Sequence, residues 1–330
     1  LRTVVVAGAY GFVGAHTARY FLQCGYAVRI IVRSQSKPDG FNSIADLYQN
    51  QQDNRLSVCT IDINNSDELA EAFASADAVV HCAALVSFDQ NSRDLLFETN
   101  VEGTASVVNA CIAAGVKNLV HISSVAALGR KEGTNNLTED SEWVESTANT
   151  DYAVSKHLAE NEVYRGMEEG LNVALICPGV VLGPWKGKGS SGIIYERAKQ
   201  GRPFYPTGTT GFVGVRDVAV MAETMIQHGV WGKRFIAVAE NIAYKTLLDD
   251  LAARLKAKKP RIPLNNLIVK PVFYLCKALE SIGIKPPFPS QALKSTHNIS
   301  IYTPQNTALL PGFKFTPLSE VHDESVRFLK

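Results

Sequence analysis

Thr3-Val-Val-Val-Ala7 runs directly into Gly8-Ala-Tyr-Gly11-Phe-Val-Gly14, and an apolar-periodic segment then continues to Cys24 before Gly25 closes it. A short β-branched run of this kind fits a parallel strand buried on both faces. A glycine turn joining such a strand to a helix aims backbone N–H groups and the helix N-terminus at one spot, which suits a pyrophosphate. The glycines stand at spacing three and three, not in the two-then-three pattern of the standard dinucleotide fingerprint. On this reading Gly8, Tyr10, Gly11, Phe12 and Val13 present their backbone to a dinucleotide; tight packing of the turn is the plain alternative.

Further strand signals follow. Ala27–Val32 makes a second strand that ends in Arg33-Ser34, with Lys37 nearby and no carboxylate before Asp39. NAD-selective sites place an acid there for the ribose hydroxyls. An arginine instead welcomes the 2′-phosphate of NADP, so Arg33 points to NADP over NAD, unless it is only a surface residue after a strand. Leu56–Ile61 forms a third strand ending at Asp62-Ile63. Asp62 could accept from an adenine amino group, or could serve as a turn before the helix at Ser66. Ala78–Ala84 is the fourth strand, and the small Ala83 and Ala84 permit close approach of a flat ring or ribose; His81 within it reads as a packed core residue. Lys117–Ser123 is the fifth, with Ser123-Ser124 at the carboxyl end where ligands of open α/β sheets bind. Asn172–Cys177 is the sixth, running into Pro178-Gly-Val-Val-Leu-Gly-Pro184. The alternation predicts an α/β doubly wound parallel sheet. Residues 1–177 are expected to form the dinucleotide-binding domain. Residues 178–330 are expected to form mainly a smaller C-terminal substrate lobe, with some segments returning to the sheet.

Tyr152-Ala-Val-Ser-Lys156 sets a phenol and an ammonium on one helical face. A nearby cation favours the phenolate, and moving a tyrosine from about 10 to about 7 needs roughly 4 kcal/mol of differential stabilisation. Asn100, in the helical stretch 91–114, could hold a water or a backbone group in a proton path, or simply pack. The polar stretch from Gly129 to Thr150 reads as a lid or substrate loop.

The net charge of +1 gives no reason to expect nucleic acid as a partner. Six scattered cysteines without a Cys-x-x-Cys pair read as buried hydrophobes in a reducing compartment, not as a metal site. With no secretory segment ahead of the first strand, the cytoplasm is the expected location. In the tail, Ile268, Val272, Leu275, Leu279 and Ile282 form an apolar stripe, and Lys256, Lys258, Lys259 and Arg261 lie upstream. The stretch 264–285 is too charged to span a bilayer; it is expected to pack on its own domain, with contact to a lipid surface as the alternative.

With Gly8, Gly11, Gly14, Asp62, Ala83-Ala84, Asn100-Val-Glu-Gly-Thr104, Ser123-Ser124, Tyr152, Lys156, Pro178-Gly179 and Phe212-Val-Gly-Val-Arg-Asp-Val-Ala219 in this order, the chain resembles the extended short-chain dehydrogenase/reductase family. That family is also catalogued as NAD-dependent epimerase/dehydratase. The resemblance runs essentially end to end and implies a Rossmann-type sheet. It implies that Ser124 bonds the substrate oxygen, Tyr152 carries the proton, and Lys156 lowers the tyrosine pKa and binds the nicotinamide ribose. Ile63, Pro178 and Val180 join the implied cofactor contacts, and a homodimer through 91–114 and 151–169 is implied as well. Sugar dehydratases of the family carry an Asp-Glu pair where this chain has Val125-Ala126. Its sugar epimerases place an Asn where this chain has Pro178. The segments 25–33 and 178–184 are more similar to dihydroflavonol-reductase and 3β-hydroxysteroid-dehydrogenase relatives. The expectation is therefore an NADP(H)-linked reductase of a carbonyl on a hydrophobic small molecule, without a metal. A nucleotide-sugar epimerase holding NAD, or a non-catalytic cofactor-sensing module, are the alternatives.

Overall fold

The computed structural model describes residues 2–35, 39–48, 54–129, 134–146, 149–186, 192–281 and 297–330. In chain order the first elements are β1 (Thr3–Ala7), α1 (Phe12–Gln23), β2 (Ala27–Val32), α2 (Asp39–Ser43), β3 (Leu56–Thr60), α3 (Ser66–Phe73), β4 (Ala78–His81), α4 (Arg93–Phe97) and α5 (Gly103–Ala113). There follow β5 (Asn118–Ile122), β6 (Asn136–Leu137), α6 (Asp151–Glu168), β7 (Asn172–Pro178), β8 (Val180–Leu182), α7 (Gly192–Lys199), β9 (Phe204–Pro206), β10 (Thr209–Gly214) and α8 (Val215–His228). The chain continues through β11 (Lys233–Ala237), β12 (Glu240–Ala243), α9 (Tyr244–Arg254), β13 (Ile262–Leu264), α10 (Asn266–Ser281), β14 (Ile301–Tyr302) and α11 (Leu318–Leu329).

Side chains alternate across a strand, and β1 uses both faces. Val4 and Val6 pack with Ala15, Ala18 and Phe21 of α1 and with Val218 and Met221 of α8. Val5 and Ala7 pack with Leu69 and Phe73 of α3, Val107 and Cys111 of α5, and Val163 of α6. Each fully buried valine contributes on the order of 1.5–3 kcal/mol of apolar transfer, and beyond Thr3 at its start the strand is apolar on both faces. The main sheet has the order β3-β2-β1-β4-β5-β7-β11, all pairs parallel. This is the expected doubly wound, Rossmann-like sheet. Its order reverses between β1 and β4, and the crevice beyond the carboxyl ends of those strands is where such sheets bind ligands. β11 extends the sheet beside β7, so the chain returns after Pro178.

β4 ends at His81, short of the expected Ala84. The Cys82 N–H still donates to the Ala7 carbonyl at 2.9 Å, and the Ala83 backbone then leaves the ladder to lie against Gly8. A second layer contains the three-stranded sheet β12-β10-β8, with a core that includes Leu182, Tyr195, Phe212, Leu247 and Leu318.

The described residues of the stretch 129–150 are tied to the body of the fold at several points. Glu139 is buried and accepts from the backbone of Ile236, Gln305 and Asn306. Trp143 stacks on His157 of α6 at 4.3 Å. β6 pairs with β14 in parallel. The tail stripe is corrected too. α10 turns Val269, Val272, Phe273 and Cys276 inward against Leu264, because this i, i+3, i+4, i+7 set is the apolar face that β13 can cover. Leu275 is left exposed, and Ile282 lies outside the described residues.

Candidate active site

The three glycines of the opening turn have different physical reasons. Gly8 has φ +82°, and a Cβ there would lie 2.5 Å from the Ala83 backbone. A Cβ on Gly14 would lie 2.3 Å from the Gly8 carbonyl oxygen, so α1 is seated on the turn itself. A Cβ on Gly11 would meet only the Gly8 oxygen, at 3.3 Å, and its outer side is open. Gly11 is the N-cap of α1, offers no side-chain cap, and is followed by a first turn without an acid. N–H groups of Phe12 and Val13 at a helix start, facing no carboxylate of their own helix, fit an anionic diphosphate. Tyr10 packs on Phe41, ring centroids 5.1 Å apart. Phe12 packs on Trp185 at 5.5 Å.

His16, missed in the sequence, locks this corner. Its Nε2–H donates to the Pro184 carbonyl at 2.9 Å, and Nδ1 accepts from the Tyr48 hydroxyl at 2.8 Å. Burial pushes its pKa down to about 4, only partly offset by the bond to Pro184. The neutral ring therefore ties α1 to the segment after β8 and holds Trp185 against Gly40, where no Cβ would fit.

Ser124 stands two residues beyond β5 and caps the short 3₁₀ turn Val125–Ala127, accepting from the Ala126 N–H at 3.1 Å. Tyr152 lies in the first turn of α6, which Thr150 caps by accepting from the Ala153 N–H at 3.1 Å. The phenol lies beside the Ser124 side chain, and its ring meets Phe88 edge-on at 6.1 Å. One turn further on, Lys156 is buried; its Nζ donates to the Ile122 carbonyl at 2.9 Å and lies 3.4 Å from His121 Nε2. The structure thus brings Ser124, Tyr152 and Lys156 together at the end of β5. It does not reproduce the expected lowering of the Tyr152 pKa. Desolvation of the phenol oxygen raises it, outweighing the lowering influence of the neighbouring Ser124 hydroxyl, and the Lys156 ammonium is drawn down onto Ile122. Burial lowers Lys156 itself to about 8, against the opposing pull of Glu160.

Asn100 sits in a π turn, Glu98–Glu102, between α4 and α5, the kind of local widening that recurs at functional sites. Its Oδ1 accepts from the Leu85 N–H at 2.7 Å. Its Nδ2 donates to the Leu85 carbonyl and to Ser155 Oγ, both at 3.0 Å. The amide clamps the segment after β4 to α6. Beneath it Thr104 donates to the Asn100 carbonyl at 2.6 Å and accepts from His81 Nε2–H at 3.0 Å. His81 is fully buried, as a packed core residue should be, and its ring lies 5.1 Å from that of His121.

A second unforeseen group is Glu160, two turns beyond Tyr152 on the same face of α6. It is fully buried, accepts a short hydrogen bond from Ser123 Oγ, takes the Cys177 thiol at 3.4 Å, and faces Arg234 Nη2 at 3.3 Å. The helical spacing 152, 156, 160 is in the sequence; the partners from β5, β7 and β11 are not.

The remaining candidates scatter around the crevice. Arg33 is exposed at the end of β2; Lys37 lies outside the described residues. Asp62 is exposed and accepts from the Asn64 N–H at 3.0 Å, so one oxygen serves the turn, while Asn65 is the N-cap of α3. Ile63 packs against Gly103. Ala83 is half-buried on Gly8 and Ala84 is exposed. Pro178 is buried at the end of β7, and Val180 pairs with Phe212 of β10.

The sequence model of the NAD dependent epimerase/dehydratase family matches residues 4–238. The Synechocystis sp. protein named "Putative dihydroflavonol 4-reductase" is 30% identical over 297 residues, 88% of this chain and 83% of that one. Sterol demethylase protein B of Methylococcus capsulatus is 28% identical, over 84% of this chain and 82% of its own length. The crystal structure of gox2253 superposes with a TM-score of 0.82 at 25% identity, covering 100% of this chain and 98% of that one. Relatives named dihydroflavonol 4-reductase and, from Bos taurus at 26% identity, sterol-4-alpha-carboxylate 3-dehydrogenase fit the dihydroflavonol-reductase and 3β-hydroxysteroid-dehydrogenase-like branch. With its glycine turn at the switch point of a doubly wound sheet, the chain belongs to the NAD-dependent epimerase/dehydratase family and is an NAD(P)-dependent oxidoreductase of the extended short-chain dehydrogenase/reductase type.

Proposed function

We propose that this chain reduces a carbonyl on a hydrophobic small molecule with NADPH, or oxidises the corresponding secondary alcohol. The observation that carries the reading is the convergence at the end of β5 of Ser124, Tyr152 beside it, and the buried Lys156 one helical turn further on. The nicotinamide, when bound, supplies the hydride. Ser124 Oγ and the Tyr152 hydroxyl would hold the substrate oxygen, and both stabilise it more strongly as it gains negative charge. Tyr152 would give up its phenolic proton to that oxygen. A phenol kept protonated by desolvation is suited to act as the acid in the reductive direction. Lys156 would then stand as the cation nearest the phenolate and hold the nicotinamide ribose. Asn100 keeps α6 and the segment after β4 in register, a positioning role.

Two features support the finer choices. β2 ends in an exposed Arg33, where an acid would repel a 2′-phosphate. Next to Tyr152 the segment after β4 offers Phe88 and a Val86 that is 62% exposed, apolar walls for a substrate. Several relatives are named as reductases, which favours the reductive direction. The test is NADPH consumption across a panel of ketones and aldehydes, with NADH as the comparison. Tyr152→Phe is expected to lower turnover on the order of 10²–10⁴-fold while NADPH binding, followed by fluorescence titration, is kept. Full turnover in that variant, or equal use of NADH, would remove the mechanism or the cofactor choice respectively.

A further inference from the structure

The segments 197–206 and 255–278 hold nine Lys and Arg and no Asp or Glu, in a chain whose totals are 33 basic and 32 acidic residues. The fold brings the two segments together. Ile262 of β13 is the register partner of Phe204 of β9. The N–H groups of Arg261 and Ile262 both donate to the Pro203 carbonyl at 2.8 Å, and a Cβ on Gly201 would stand 3.3 Å from that of Lys258. Arg202, Lys256, Lys258, Lys259, Arg261 and Lys270 are all exposed. None has a carboxylate within ion-pair distance among the described residues. The acids on neighbouring α9 are already matched, Asp249 by Lys245 and Asp250 by Arg254 and His322.

Large apolar side chains stand among these cations: Phe204 is 50% exposed, Ile262 39%, Tyr274 68% and Leu275 61%. For α10 the reason is geometric. Val269, Val272, Phe273 and Cys276 occupy its buried face, which leaves Lys270, Tyr274 and Leu275 on the other side. Cations around apolar tips match the layered chemistry of an anionic lipid surface. Head groups take the ammonium and guanidinium groups, a tyrosine sits at head-group level, and leucine, isoleucine and phenylalanine reach the acyl boundary. A nucleic acid would meet the cations but has no place for Leu275 and Ile262. A second copy docked through the same face would set like charges against each other.

We infer that the face built from β9, β13 and the outer side of α10 docks on an anionic phospholipid surface. No helix among the described residues is long and apolar enough to cross a membrane, so the contact is one of lying on the surface. The inference does not rest on the catalytic reading. The test is co-sedimentation of the full chain with vesicles of phosphatidylserine and phosphatidylcholine, against phosphatidylcholine alone, at low and at high salt. Binding is expected only with phosphatidylserine and is expected to weaken in high salt. Lys258→Glu with Lys259→Glu should reduce it on the order of tenfold or more, and Tyr274→Ser with Leu275→Ser should reduce it at unchanged salt dependence. All four positions are exposed, so thermal melting should match the parent. Absence of binding to either vesicle, or binding that survives both double variants, would overturn the inference. So would concentration-dependent self-association that Leu275→Ser abolishes, which would assign the face to a second copy.

Discussion

At the scale of single residues, Glu160 is the buried acid whose charge acts on Lys156 from one turn further along α6. A fully buried carboxylate is tolerable only if paired, and here Ser123, Cys177 and Arg234 share it. It also raises the Lys156 pKa against desolvation, and so keeps the ammonium charged at neutral pH. Glu160→Gln preserves the volume but leaves Arg234 facing a thiol without a counter-charge. Breaking a buried pair costs about 3–5 kcal/mol; with Arg234 at 17% exposure, roughly 2–3 kcal/mol of lost stability is expected, read from urea unfolding. The Lys156 pKa should fall further below about 8, moving any lysine-dependent limb of the pH–rate profile to lower pH. Unchanged stability together with an unchanged profile would mean that Glu160 plays no part in holding the lysine. The sequence exposes only half of this arrangement. Tyr152, Lys156 and Glu160 share a helical face by spacing alone, whereas Ser123, Cys177 and Arg234 join them only through strand order. His121 is hidden for the same reason: it becomes the neighbour of Lys156 and His81 only when β5 pairs with β4.

At the scale of elements, the strand–turn–helix at the start of the chain is the part that local sequence specifies best. Its glycines are required by contacts within the same fourteen residues and with Ala83. The contrast between them is testable. Gly14→Ala would drive a Cβ to 2.3 Å from the Gly8 oxygen, in backbone that cannot step aside without lifting α1 from β1. Overpacking of this kind costs about 1–3 kcal/mol. Gly11→Ala meets only a 3.3 Å contact at an allowed φ of −79°, and should lose about 0.5–1 kcal/mol, because alanine is a poorer N-cap than glycine. Thermal unfolding of the two variants should separate them clearly; equal melting would show that α1 is not seated on the turn. α10 illustrates the opposite limit. Two apolar stripes are compatible with its sequence, and among the described residues it is the one ending at Cys276 that packs with Leu264 of β13. The π turn at Asn100 was likewise invisible to periodicity, because one residue is accommodated without breaking the helical pattern on either side.

At the scale of the whole molecule, buried histidines link layers that are distant in sequence. His16 joins α1 to the segment after β8, and His81 and His121 meet in the middle of the sheet. All three are held neutral by burial: His16 at about 4, His81 at about 3, and His121 well below its ordinary value, the last two also opposed by Lys156. In the unfolded chain each titrates near 6.5. Between that value and the folded one the unfolded state binds more protons, so stability is lost as pH falls through the window. By pH 5, His16 and His81 should each have withdrawn about 2 kcal/mol relative to pH 7.5. Lys156 adds little to this change, since both states carry its proton below about 8. Urea midpoints should therefore drop sharply between pH 7.5 and pH 5. His16→Gln offers an amide N–H for the Pro184 carbonyl and an oxygen for the Tyr48 hydroxyl, so the corner can stay closed. Its pH-dependent loss should be smaller than the parent's by about 2 kcal/mol. An identical loss in the variant would mean that the His16 ring already carries a proton in the folded state, and that the seam between α1 and the β8 segment is held by something other than a neutral imidazole.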